Sequence, residues 1–156
     1  MIINSDNDAL AMLDDSFWDN ESNKVQKDLG VEVSDGNSTD DFITVKGYAS
    51  LFRILFNASY LSRDNSEKAL KMLSGVEFKK GIVAGVPPEI VVSHKYGERQ
   101  LCDISQLHDC GIVYYPNHPY LLCIMTRGSD YNKLASVIKD ISKTIYTDLN
   151  IRYKGK

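Results

Sequence analysis

Apolar residues recur at helical spacing in four stretches of the chain and at strand-like spacing in three. Ala9, Leu10, Met12, Leu13 and Phe17 mark one face of an opening helix. Ser5, Asp6 and Asn7 stand just before it, and each has a short side chain able to bond the free N–H groups of a first turn. A short second helix is expected over Lys24–Leu29, closed by Gly30, and the polar stretch 33–41 reads as a loop. The strongest helical pattern covers 44–61. Its apolar positions Val45, Tyr48, Ala49, Leu51, Phe52, Leu55 and Phe56 span more than one face, which predicts a largely buried helix. Asp64 and Glu67 have the spacing of a capping box for a helix over Ser66–Ser74 that ends at Gly75.

After the break at 85–88 (Gly-Val-Pro-Pro) the periodicity changes. Residues 90–97, 111–116 and 120–128 read as strands, the last two joined by a tight Asn-His-Pro turn as an antiparallel hairpin. A final helix over Tyr131–Leu149 carries Leu134, Val137, Ile138, Ile141 and Ile145 on the face expected to meet the sheet. Helices, then three antiparallel strands, then one helix give an α+β class, with no internal repeat and no domain boundary.

Composition narrows the function classes. The chain has 156 residues, 43% of them hydrophobic and 25% charged, which is ordinary for one globular domain. A net charge of −3 without a Lys/Arg cluster excludes an electrostatic footprint for nucleic acid. No apolar run reaches the length of a membrane span. Cys102, Cys110 and Cys123 are odd in number and lack C-x-x-C spacing, which argues against a disulfide framework or a zinc site. Cys110 and Cys123 lie in apolar strand-like runs and are expected as buried free thiols. His94, His108 and His118 have no metal-ligand spacing, so neither metal nor cofactor is expected. His108-Asp109 reads as a turn into a strand rather than a catalytic dyad. Phe17, Trp18, Tyr114 and Tyr115 read as core or rim residues, and Arg127 as a solvated strand end.

Two short motifs carry candidate chemistry. Ser5-Asp6-Asn7 opens a helix, and Lys95-Tyr96-Gly97 ends a predicted strand. Ser-Asp-Asn arises by chance in roughly 2% of chains of this length and Lys-x-Gly in about a third, so their contexts and order decide. S-D-N followed by a strand-borne K-[TS]-G belongs to the active-site set of the penicillin-recognising serine acyltransferases. Residues 40–55 are similar to that group's Asp-Thr-Thr-Thr-Pro segment and following helix, with Asp41 and Thr44 retained and Val45 in place of proline. Residues 85–98 resemble its K-T-G strand, and 107–128 the next hairpin, with His108-Asp109 in place of Asn-Asp. The chain thus resembles the class A β-lactamase-like serine hydrolases, close to penicillin-binding transpeptidases and carboxypeptidases, over nearly its whole length.

The resemblance implies roles for five residues. Ser5 would pass a proton toward the leaving nitrogen, and Lys95 would hold that hydroxyl and the substrate carboxylate. Asn7 would bond the acyl side-chain amide. Gly97 would let substrate lie against the strand edge. Tyr96 stands where the family has Thr or Ser, so the small hydroxyl that binds the carboxylate is missing.

Two further departures shape the expectation. The nucleophilic S-x-x-K precedes S-D-N in the family, and here the only such pattern, Ser136–Lys139, falls in the last predicted helix. No E-x-x-L-N occurs between Asn7 and Asp41, where Asp28 and Glu32 read as solvated charges. The chain is therefore expected to be the C-terminal portion of one such domain, incomplete at its N-terminus and inactive alone. Its marginal stability or self-association through an exposed sheet edge would follow. Its substrates would be β-lactams or peptidoglycan-peptide amides, and its location extracytoplasmic. The alternative is a non-catalytic relative that binds peptidoglycan or a protein partner.

Overall fold

The computed structural model describes residues 1–31 and 43–153, without side chains for 14–23 and Leu101. Asp41, Glu32 and the expected loop at 33–41, like the side chains of Phe17 and Trp18, lie outside the described residues. The elements are helices α1 (Asn7–Asp28), α2 (Val45–Asn57) and α3 (Arg63–Ser74), a single 3₁₀ turn (Ile82–Gly85), strands β1 (Val92–Leu101), β2 (Ile104–Val113) and β3 (Tyr120–Gly128), and helix α4 (Tyr131–Tyr153). The strands form one antiparallel sheet in the order β1-β2-β3, so the expected α+β architecture is the observed one.

Alternation along the strands divides the core between the two sheet faces. On one face Val92, Leu107, Val113, Leu122 and Ile124 meet Leu134, Ala135 and Ile138 of α4 and Ile82 of the 3₁₀ turn. On the other, Cys110 and Ile112 meet Phe52 of α2 and Leu70 and Leu73 of α3. Hydrogen bonds from buried or half-buried hydroxyls fix both layers. Ser93 Oγ donates to Leu70 O at 2.7 Å, Tyr48 OH to Lys95 O at 2.8 Å, and Ser142 Oγ to Ile82 O at 2.9 Å. The 3₁₀ turn lies so close to α4 that a Cβ on Gly85 would come within 2.5 Å of both Lys139 O and Ser142 Cβ.

Several local expectations are corrected. α1 is continuous through the segment read as a separate Lys24–Leu29 helix. Ser62, two residues before the expected cap Asp64, caps α3 by accepting from Asn65 N, so Asp64 lies inside the helix. α2 is less buried than its pattern implied: Phe52 is its one buried residue, while Val45 and Phe56 are exposed. On α4 the buried residues are Leu134, Ala135, Ile138 and Ser142, and Val137 and Ile141 face outward. β3 begins and ends where predicted. β1 and β2 instead run on through polar sequence to a two-residue turn at Cys102-Asp103, with Cys102 at φ 50°. His108 and Asp109 accordingly lie inside β2, not at its entrance.

The largest correction concerns sulfur. Cys110 and Cys123 are direct cross-strand partners, with Cα atoms 3.9 Å apart, and they form a disulfide. The spacing of 13 residues in sequence carried no such signal, because strand register alone brings the two together. Cys102 is free and exposed. Under denaturing conditions the unreduced chain should show one thiol to a colorimetric thiol reagent and three after reduction. Cys123→Ala should lower stability by about 3 kcal/mol, the loss expected for a closed loop of this size, measured by urea unfolding.

Candidate active site

Ser5 and Lys95 are 90 residues apart in sequence, and the fold joins them. Asp6 takes the capping task for α1, its carboxylate accepting from Ala9 N at 3.0 Å. That bond holds the Asp6 carboxyl below its ordinary value. Ser5 is thereby left out of the cap. Its backbone sits in the left-handed region at φ 52°, which turns it toward the sheet. The segment before it is fastened by Glu77 N donating to Ile3 O at 3.2 Å and by Ile2 packing beside the α3 cluster.

Lys95 reaches the same point from β1. Its Nζ donates to Ser5 Oγ at 2.6 Å and to Tyr96 O at 2.9 Å, and lies 4.6 Å from the centre of the Tyr96 ring. Lys95 projects from the sheet face that carries α2 and α3, in register with Cys110 and so with the disulfide. Burial lowers the pKa of its ammonium below the usual lysine value, while the negative charges of Asp109 and Glu98 oppose that shift. Tyr48, whose hydroxyl bonds the Lys95 carbonyl, is pushed well above the normal phenol range, first by burial and then by the charge of Asp109.

The other predicted residues are placed less uniformly. Asn7 is the first residue of α1, exposed and two positions from Ser5. A Cβ at Gly97 would meet nothing within 4 Å. An open cleft of about 480 Å³ begins there, lined by Tyr48, Gly97, Glu98, Arg99 and His108 among others. The Tyr96 ring stacks on Phe78, with centroids 4.4 Å apart. Ser136 is exposed on α4, beyond the opposite face of the sheet, and Lys139 lies 3.6 Å from Asp140, so that S-x-x-K pattern stands away from the Ser5–Lys95 pair. Another cavity, of about 490 Å³, borders Gly30, Thr44, Lys46 and Arg53 and includes neither Ser5 nor Lys95.

Sequence reasoning missed a buried group directly behind this site. His94 and Asp109 are both inaccessible to water, with His94 Nδ1 2.8 Å from Asp109 Oδ1, while Asp109 Oδ2 accepts from Ile82 N at 2.8 Å. The signal was present in part: a histidine next to Lys95, and an aspartate just before the apolar run that ends β2. Only register makes them partners. Among the described residues no group of His, Cys, Asp and Glu has the arrangement of a metal site.

Comparison with known proteins gives this geometry a setting. Residues 1–149 match the beta-lactamase enzyme family. No curated protein sequence matches the chain. Among solved structures, PBP-A superposes with a TM-score of 0.76 at 20% identity, covering 96% of this chain and 58% of that one. The TLA-3 extended-spectrum beta-lactamase superposes with a TM-score of 0.82 at 18% identity, covering 95% and 61%. A beta-lactamase from Sphaerobacter thermophilus gives 0.80 at 20% identity, covering 96% and 60%. The chain therefore shares their fold and spans about three-fifths of their length.

The lowered lysine makes a pH prediction with a definite sign. Folded Lys95 binds its proton less tightly than unfolded Lys95, whose ordinary value is 10.5. Between the two values the unfolded state holds more protons, so the contribution of Lys95 to stability rises with pH across that window. Urea unfolding of the parent and of Lys95→Met at pH 8, 9 and 10 should show the parent gaining relative to the variant as pH increases.

Proposed function

The chain belongs to the beta-lactamase enzyme family, and from that premise we propose that it forms two walls of a serine acyl-transfer site. Its substrates would be β-lactams or D-Ala-D-Ala-like amides, opened through an acyl-serine whose nucleophile lies outside this sequence. The observation that carries this reading is the 2.6 Å contact between Ser5 Oγ and Lys95 Nζ. It joins the hydroxyl of the Ser-Asp-Asn helix start to the ammonium of the Lys-x-Gly strand.

In this reading each group does one thing. Lys95 holds the Ser5 hydroxyl as a hydrogen-bond donor and draws an anionic substrate to the mouth of the site. Its burial eases transfer of a proton along Lys95–Ser5 to the leaving nitrogen. Asn7 orients the acyl side-chain amide. Gly97 keeps the edge of β1 open, so a substrate amide can lie along it without meeting a side chain. A variant of PBP-A with this fold is an acyl-enzyme complex with penicillin G, and it is 22% identical over 96% of this chain. We place the chain outside the cytoplasm. The Cys110–Cys123 disulfide supports that location, since such bonds persist in oxidising compartments.

A second reading, a non-catalytic relative that binds peptidoglycan or a partner, is favoured by Tyr96. Its ring stacks on Phe78 where the family supplies a small hydroxyl for the substrate carboxylate. The two readings part on one experiment. Fluorescent penicillin should leave this chain unlabelled by itself. Fusion to an upstream segment carrying S-x-x-K should give a labelled band that Lys95→Ala weakens. Absence of labelling in a folded fusion would favour the binding module. The E-x-x-L-N deacylation motif is missing between Asn7 and Asp41, so the labelled fusion should also release its acyl group slowly. Nitrocefin turnover at an ordinary lactamase rate would contradict that.

A further inference from the structure

The Asp109 carboxylate is fully buried, yet both of its oxygens are engaged. The His94 imidazole N–H donates to Oδ1 and the Ile82 backbone N–H to Oδ2, each at 2.8 Å. The site is shaped for a carboxylate: a Cβ on Gly81 would collide with Asp109 Oδ2 and come within 2.9 Å of the Phe78 ring. Three pieces of backbone therefore converge on one side chain, namely β1 at His94, β2 at Asp109 itself and the 3₁₀ turn at Ile82. His94 Nε2 has no hydrogen-bond partner among the described residues, so the ring is oriented through Nδ1 alone.

We infer that Asp109 is a positioning residue for Lys95. Its carboxylate clamps β1 at the residue preceding Lys95, and its negative charge, delivered from behind the sheet, keeps the Lys95 ammonium charged in front of Ser5. The register supports both halves of this statement. Lys95 pairs with Cys110, the neighbour of Asp109 on β2, and Tyr96 pairs with Asp109 itself.

Charged and titratable groups approach Lys95 from every element around it. Ser5 comes from the turn before α1, Tyr48 from α2, and Tyr96 and Glu98 from β1. Around Asp109 stand His94 and Lys95 of β1, Tyr48 of α2 and Tyr131 of α4. Of the two carboxylates acting on Lys95, Asp109 has the larger effect, ahead of Glu98. A site that recognises an anion needs a lysine that remains cationic when desolvated, and a fixed carboxylate behind it meets that need. The inference rests on the reading of Lys95 as the cation of the site. Its test does not require turnover.

In the full chain labelled with ¹⁵N-lysine, the Nζ signal that disappears in Lys95→Met gives the midpoint of Lys95. Asp109→Asn should lower that midpoint by about one pH unit, and Glu98→Gln should lower it less. An unchanged midpoint in folded Asp109→Asn would overturn the inference. If Asp109→Asn does not fold, the reciprocal measurement decides, because coupling between two groups acts equally on both. Lys95→Met leaves the hydrogen bonds of Asp109 intact, and the ¹³Cγ chemical shift of Asp109 at neutral pH should then move relative to the parent. A resonance that stays where it was would overturn the inference. Penicillin labelling of the fusion judges the acyl-transfer reading separately, so either can fail while the other stands.

Discussion

A carboxylate without access to water has to be satisfied by the protein around it, and Asp109 is satisfied from two sides. The His94 ring comes from β1 and the Ile82 N–H from the turn that precedes the sheet. Removing either partner would leave a buried charge short of a hydrogen bond, a loss usually larger than the net gain of forming one. That asymmetry makes this small cluster a constraint on the fold. It sets where the 3₁₀ turn meets the sheet, and Gly85 and Ser142 then set where the turn meets α4. It also fixes the strand that carries Lys95.

From that strand the site is built outward by a division of labour among adjacent residues. Asp6 caps α1 and so releases Ser5, whose left-handed backbone directs its hydroxyl to Lys95. Tyr48 holds the Lys95 carbonyl, and the Tyr96 carbonyl and ring border its ammonium. The hydroxyl, the carbonyl and the ring face all favour the charged form of Lys95, while its burial opposes it. A cleft opens beside Gly97, two residues along the same strand. The disulfide in register with Lys95 ties β2 to β3 in the same row, so the floor of the site is covalently braced.

Two departures from the family pattern bear on the acyl-transfer reading proposed above. A ring replaces the small hydroxyl next to Lys95, and the deacylation motif is missing between Asn7 and Asp41. About two-fifths of the length of these solved relatives lies outside the part that this chain covers.

By itself the sequence determined the elements with strong local patterns. α4 starts at Tyr131 and β3 spans 120–128, because periodic apolar residues act over a few neighbours, while the helix expected over 44–61 is observed as Val45–Asn57. It also determined Ser5 and Lys95 as candidates, through two motifs in a telling order. Tertiary structure decided what depends on register. Glu98, Arg99, Gln100, Ser105 and Gln106 show no strand alternation and are strand only because each strand completes the other's hydrogen bonds. The same pairing turns two cysteines expected as free thiols into a disulfide and makes His94 and Asp109 partners. A choice among Ser5, Asp6 and Asn7 as cap was equally invisible, since all three can accept the same N–H. It was settled by Lys95, a residue that approaches Ser5 only once the sheet has formed.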